Sequence, residues 1–211
     1  MAYHSIWYFT DLPEEIVNIL DKDLINNFDY QMKDSKLYGD EIDKKKRDSE
    51  NAWISSTHWV AGFLWHYVQM ANRKNFFYDI SHIDNESLQY TKYSKGQFYN
   101  WHNDAGLSQF HSSNVTIGAS ESTTNEEYHK DKLSENYELV RKLSFSLQLS
   151  DPDDYEGGNV QLLDESNRSY IAPRNRGAII LFDSRTQHRV LKVTKGVRRS
   201  IVGWVVGPRW K

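Results

Sequence analysis

Leu143-Ser-Phe-Ser-Leu-Gln-Leu-Ser150 alternates apolar and polar residues without a break. Successive side chains of an extended strand leave on opposite faces, so Leu143, Phe145, Leu147 and Leu149 share one side and Ser144, Ser146, Gln148 and Ser150 the other. One side belongs to a core, the other to water or to a polar cavity. Outward from this stretch the same period recurs in short runs at 76–81, 87–93, 96–101, 159–163, 168–172, 178–182, 187–193 and 198–206. Turn-forming sequences such as Asp151-Pro-Asp-Asp154 and Glu156-Gly-Gly158 separate them. Many short strands with no helices between them predict a jelly roll or barrel.

Before residue 75 the period changes to that of a helix. Leu12, Ile16, Ile19, Leu20 and Leu24 recur at helical spacing, with Asp11 as the expected cap and Pro13 in the first turn. The charged stretch 33–51 reads as loop or frayed helix. A second helix is expected over 57–72, capped by Ser55, Ser56 or Thr57 and apolar around most of its circumference, with His66 packed in it rather than ligating anything. The expected fold class is α+β, mainly β, with flanking N-terminal helices. The expected organisation is one domain over 1–211, its helical part at about 1–75 and its strand core at about 76–208. The polar segment 105–138 exceeds the ~12–15 residues after which a structureless connection calls for a reason, and it reads as a lid or mobile loop.

With 211 residues the chain can bury a sizeable core. It has no cysteine, which excludes disulfides, thiolate catalysis and cysteine-bound metal centres, so a metal here would use His, Asp or Glu. A net charge of −3 argues against a nucleic-acid-binding surface, although Lys192, Lys195, Arg198, Arg199, Arg209 and Lys211 make the C-terminal region locally basic. The apolar run 59–71 is interrupted by His66 and Gln69 and is shorter than the ~20 residues of a membrane-spanning helix, so no membrane anchor is expected. The first residues lack the pattern of a secretory signal, which makes the cytoplasm the expected location, or the host cytoplasm for a phage-encoded chain.

The spacing His-x-Asp occurs three times: His82-Ile-Asp84, His102-Asn-Asp104 and His129-Lys-Asp131. His129 lies in a run of charged and polar residues and reads as solvated. His82 leads into Asp84-Asn85, a turn sequence. His102 follows Tyr93-Ser-Lys-Gly-Gln-Phe-Tyr99-Asn-Trp101, where Gly96 lets the chain turn between two extended stretches and brings tyrosines close by. Downstream, His188 and Arg198 stand ten residues apart at the starts of two late strands. Two imidazoles and a carboxylate on one side of a ferrous ion leave the remaining positions open, the arrangement of oxygen-activating non-haem iron. The guanidinium of Arg198 suits the far carboxylate of 2-oxoglutarate through a two-pronged hydrogen bond. Alternation along the last strand puts Arg198, Ser200, Val202 and Trp204 on one face.

These residues resemble a known family. Tyr93-x-x-Gly96-x-x-Tyr99-x-x-His102-x-Asp104, the strand from Arg141 through Leu149 to Gly158, and His188-Arg-Val-x-x-Val-Thr-x-Gly196-x-Arg198 look like the iron- and 2-oxoglutarate-dependent dioxygenases of the prolyl 4-hydroxylase superfamily. The nearest likeness is to bacterial and phage PKHD-type hydroxylases, over about 88–208. The resemblance implies a double-stranded β-helix, Fe(II), 2-oxoglutarate and O2, with ascorbate keeping the iron reduced. It implies His102, Asp104 and His188 as metal ligands and Arg198 as the partner of the distal carboxylate. Tyr93 matches the tyrosine that assists Arg198, Tyr99 and Ser200 are neighbours, and Gly157-Gly158 and Trp204 are structural. Lys192 stands where such sequences often carry proline, and arginine replaces the lysine of collagen-type enzymes.

The expected reaction is hydroxylation of a C–H bond on a peptidyl proline or other amino-acid side chain, with succinate and CO2 released. A peptide or protein substrate ranks ahead of a small molecule. Two other readings stay open from the residues: a non-catalytic jelly-roll binding module, and an oxygenase acting on nucleobases, which needs a basic, aromatic channel.

Overall fold

In a computed structural model the described residues are 6–10, 12–37, 42–84, 88–106, 139–164 and 166–210. The lid segment from residue 107 to 138, the triplet His129-Lys-Asp131 and the expected cap Asp11 lie outside them. The chain order begins β1 (Ile6–Phe9), α1 (Glu14–Phe28), β2 (Lys33–Asp34), β3 (Arg47–Asp48), β4 (Glu50–Ile54), α2 (Trp59–Ala71), β5 (His82–Ile83). It continues with β6 (Leu88–Ser94), β7 (Phe98–His102), β8 (Val140–Gln148), β9 (Tyr155–Gly157), β10 (Val160–Leu163) and β11 (Ser169–Ile171). The last elements are β12 (Ile179–Asp183), β13 (His188–Val190) and β14 (Val193–Gly207).

The larger sheet runs β1-β12-β8-β14-β6-β4-β2, with β5 and β9 also paired to β14; the smaller runs β11-β10-β13-β7-β3. Every pairing is antiparallel. This is an α+β sandwich of the jelly-roll type, with both helices on the outer face of the larger sheet. The alternation of β8 explains the layering. Leu143, Phe145, Leu147 and Leu149 enter a core that also holds Leu20 and Leu24 of α1, Leu64 and Val68 of α2, and Ile201 and Val205 of β14. The opposite face, Ser144, Ser146, Gln148 and Ser150, is equally buried and faces the smaller sheet. Between the sheets, Leu162, Ala172, Ile180 and Phe182 form a second apolar cluster, and Tyr93, Val190 and Val193 a third.

The helices differ in detail from the expected ones. In α1 the buried stripe is Val17, Leu20, Leu24 and Phe28, while Ile19 is exposed. Pro13 takes the cap position with an extended ψ of 136° and no side-chain cap, and Glu14 and Glu15 complement the helix dipole in the first turn. α2 is capped by the His58 ring, which accepts from the Val60 amide at 3.4 Å, rather than by Ser55, Ser56 or Thr57. His66 is exposed on α2 rather than packed.

Two segments overturn their sequence reading. The stretch 33–51 contributes β2, β3 and the start of β4, because Asn51 and Ala52 pair with Thr91 and Tyr90 and so extend the sheet; tertiary pairing overrides a charged local sequence. The expected strand 76–81 is absent. Asn72 to Phe76 continue α2 as a wide π turn, Phe77 is left-handed at φ 55°, and the Asn72 side chain ties itself to Tyr78 N and O at 2.9 Å each.

Gly203, in the middle of β14, faces the helix-side core, where an added Cβ would lie 2.6 Å from Phe145 Cζ and 3.0 Å from Leu88 Cδ1. Gly203→Ala is therefore expected to destabilise the fold by about 1–3 kcal/mol through overpacking, measured by urea denaturation.

Candidate metal centre

The hairpin β6–β7 turns at Gly96, whose φ of +94° is a conformation that glycine adopts without a Cβ penalty. β7 then pairs with β13 so that His102 sits directly opposite His188. Asp104 follows β7, and its backbone amide donates to Ser184 O at 2.8 Å, which pins the carboxylate near both rings. One donor atom from each of His102, Asp104 and His188 lies within 4.8 Å of the others. The Nε2 atoms of His102 and His188 are 3.7 and 3.4 Å from the Asp104 carboxylate oxygens. Ligands at about 2.1 Å and right angles to one another stand roughly 3 Å apart, so small side-chain adjustments suffice to hold a divalent ion.

The donor set is also prepared electronically. Nδ1 of His102 is 2.8 Å from Asn100 O, and Nδ1 of His188 is 3.0 Å from Thr186 O. A ring that donates through Nδ1 keeps its Nε2 lone pair for a metal. Burial, reinforced by the neighbouring His188, pushes the His102 imidazole down to about 4, so it is neutral at physiological pH. Burial works against the Asp104 carboxylate, but His188, His102, Ser144 and Trp204 outweigh it and hold the group below its ordinary value. Ser144 Oγ donates to Asp104 Oδ2 at 2.7 Å, and the Trp204 side chain supplies a further hydrogen bond. Arg141 lies over the Trp204 ring at 4.2 Å and is itself anchored by Asp84 at 3.4 Å. The triplet at His82 is thereby accounted for: His82 and Ile83 pair with β14, and Asp84 is the partner of Arg141.

Arg198 and Ser200 lie on the inner face of β14, as the alternation requires, with Arg198 opposite Tyr93 and Ser200 opposite Thr91 on β6. Arg198 is 3% exposed, and no carboxylate among the described residues pairs with it. Its Nη1 donates to Ser200 Oγ at 3.3 Å, it hydrogen-bonds the Tyr155 side chain, and it lies 5.8 Å from the Tyr93 ring centroid. Burial lowers its pKa, and Tyr155 and Tyr93 offset part of that effect. Gly158 packs on it closely enough that a Cβ would be 3.2 Å from Arg198 Cδ, so this glycine shapes the site as well as the turn. Tyr99 stacks on His102 with centroids 3.6 Å apart, and burial raises its phenol to about 12.

The sequence reading passed over Ser144, Gln148, Tyr155 and Thr91, and it treated Trp204 as structural, whereas its side chain bonds a proposed ligand. The polar side of 143–150 carried the signal for Ser144 and Gln148. Alternation along the last strand set Trp204 on the right face, and nothing local marked Tyr155 or Thr91 as site residues.

Comparison with known proteins places these features. The pattern of the 2OG-Fe(II) oxygenase superfamily matches residues 88–206. A PKHD-type hydroxylase of Parvibaculum lavamentivorans is 43% identical over 63 residues, covering 30% of this chain and 28% of that one. One from Synechococcus elongatus is 30% identical over 161 residues, covering 74% and 60%. The chain thus matches under a third of the first relative's length and three fifths of the second's. Among solved structures, a Pseudomonas putida prolyl-4-hydroxylase superposes with a TM-score of 0.66 at 18% identity, covering 98% of this chain and 94% of that one. A Trichoplax adhaerens prolyl hydroxylase, in complex with a hypoxia inducible factor peptide fragment, gives 0.68 at 15% identity, covering 96% and 84%. At these identities the superpositions speak for the fold. No helix of the described residues is long and apolar enough to cross a membrane.

Ser144→Ala, which removes one hydrogen bond from Asp104, is expected to weaken metal binding by about ten- to a hundred-fold, measured by metal titration. The depressed His102 value has a pH consequence. Between the ordinary value of 6.5 and about 4, the unfolded chain binds a proton that the folded metal-free chain does not. Stability should therefore fall as pH drops through that window, and urea midpoints at pH 7 and pH 5 should differ less in His102→Gln.

Proposed function

This chain belongs to the 2OG-Fe(II) oxygenase superfamily, and we propose that it is an Fe(II)- and 2-oxoglutarate-dependent hydroxylase. Its substrate is a peptidyl proline or another amino-acid side chain. The observation that carries the reading is a three-donor metal site between the same two sheets as a buried guanidinium with no acidic partner among the described residues. A buried cation of that kind asks for an anion, and a diacid that also reaches a metal answers both needs.

His102 and His188 would hold iron through Nε2 and Asp104 through a carboxylate oxygen, with Ser144 and Trp204 fixing the carboxylate's orientation. Arg198, assisted by Tyr93, would hold the distal carboxylate of 2-oxoglutarate, with Ser200 steadying the guanidinium. Tyr99 would brace the His102 ring by stacking. Bound iron and the keto acid supply the oxidising power: O2, 2-oxoglutarate and R–H give succinate, CO2 and R–OH. The chain contributes placement and the exclusion of water, which its buried inner faces provide. Ascorbate would serve to keep the iron ferrous. The peptidyl substrate is supported by the solved structures of like fold, a prolyl-4-hydroxylase and a prolyl hydroxylase captured with a peptide fragment. A binding module would have no use for two histidines, each held by a backbone carbonyl with its other nitrogen turned towards a carboxylate.

The test is succinate release with iron and 2-oxoglutarate against a panel of proline-containing peptides and amino acids, with mass spectrometry for a gain of one oxygen. Asp104→Ala and His188→Ala are expected to abolish turnover while the circular dichroism stays native. Arg198→Ala should raise KM for 2-oxoglutarate by about ten- to a hundred-fold, the loss of a charged hydrogen-bond pair. Full activity in Asp104→Ala would remove the metal from this site.

A further inference from the structure

Thr91 is 1% exposed, and its Oγ1 is the one buried side-chain polar atom among the described residues with no hydrogen-bond partner. Buried hydroxyls are nearly always bonded, because leaving one dry and unpaired is costly. An exception in a core would be a defect; at the wall of a ligand site it marks where a ligand atom goes.

The strand registers show which ligand group is near. Thr91 is opposite Ser200 on one side and opposite Asn51 on the other, and Ser200 is opposite Gln148. Asn51, Thr91, Ser200 and Gln148 therefore form a polar row across the inner face of the larger sheet, and all four are buried. Arg198 and Tyr93 form the adjacent cross-strand pair. Along the row Ser200 Oγ accepts from Arg198 at 3.3 Å, and Gln148 Nε2 donates to Ser150 O and to the Tyr155 hydroxyl at 3.2 Å each. Among the described residues the threonine Oγ1 is the one fully buried side-chain polar atom without a partner, and the register sets it diagonally across from Arg198, which no described carboxylate pairs. A hydroxyl donor beside an unpaired cation is the complement of a carboxylate.

We propose that Thr91 is a further cosubstrate-binding residue, its Oγ1–H donating to the distal carboxylate of the keto acid that Arg198 holds. Thr91 thereby favours a diacid over a keto acid lacking the second carboxylate. This rests on the 2-oxoglutarate reading above and adds to it a residue for which no motif in the chain prepares. The apoprotein tolerates the unpaired hydroxyl because the bound state uses it, in the way that binding sites commonly trade stability for affinity.

The test measures the binding of 2-oxoglutarate and of 2-oxopentanoate, which lacks the distal carboxylate, to Mn(II)-loaded protein by calorimetry, together with Tm of the metal-free protein. Thr91→Val keeps the shape and deletes the hydroxyl. It should weaken 2-oxoglutarate by about ten- to a hundred-fold, leave 2-oxopentanoate unchanged, and raise Tm by removing an unsatisfied group. Thr91→Ser should bind 2-oxoglutarate nearly as wild type does. If Thr91→Val does not fold, Thr91→Ala gives the same affinity comparison. Unchanged 2-oxoglutarate affinity without the hydroxyl, or equal weakening of both keto acids, overturns the proposal. If in addition Arg198→Ala loses 2-oxoglutarate, the cosubstrate reading survives and the role of Thr91 alone falls. Wild-type protein that binds no 2-oxoglutarate sinks both.

Discussion

The site depends on one strand pairing, that of β7 with β13, which makes His102 and His188 cross-strand neighbours. Their ring centroids stand 4.1 Å apart. Burial, with His188 beside it, keeps the His102 imidazole neutral, the state that a metal requires, and the carbonyls of Asn100 and Thr186 select the tautomer of each ring. Asp104 completes the set because the chain leaving β7 is caught by Ser184 O. A slip of one residue in this pairing would turn one imidazole to the other face of the sheet and dissolve the centre.

Around this pairing the larger sheet acts as a two-sided wall. Its outer face is an ordinary apolar surface against α1 and α2. Its inner face is built of serines, a glutamine, a threonine and an arginine, all of them buried. Burying so many polar groups costs free energy unless they bond one another, and most do: Ser144 with Asp104 and Ser184, Arg198 with Ser200 and Tyr155, Gln148 with Tyr155. Among the described residues Arg198 has no carboxylate partner, and the fully buried Thr91 Oγ1 has no hydrogen-bond partner. They are adjacent, and one carboxylate would satisfy both.

The support behind the metal ligands comes from far along the chain. Asp84 holds Arg141, Arg141 covers Trp204, and Trp204 bonds Asp104, so β5, β8 and β14 all bear on a single carboxylate. Such outer contacts fix ligand orientation and are a large part of what distinguishes a metal site from a chance cluster. Among the described residues they also separate the triplet at His102 from the one at His82, whose Asp84 pairs with the Arg141 guanidinium.

The amino-acid sequence by itself determined the elements whose pattern is local. The period-two runs marked β6 to β8 and β10 to β14, the helical period marked α1 and α2, and the spacings in Tyr93 to Asp104 and His188 to Arg198 singled out the residues that do converge. Alternation put Arg198, Ser200 and Trp204 on one face, and they are there. Only the tertiary structure decided that 33–51 adds strands to the sheets, that 76–81 does not, and that Trp204 serves Asp104. It alone showed what Ser144, Gln148 and Tyr155 bond, and that Thr91 Oγ1 has no partner among the described residues. The reason is physical. Side-chain direction follows from backbone period, which neighbouring residues encode, whereas what a side chain meets is set by strand register and sheet closure, which depend on segments far apart in the chain.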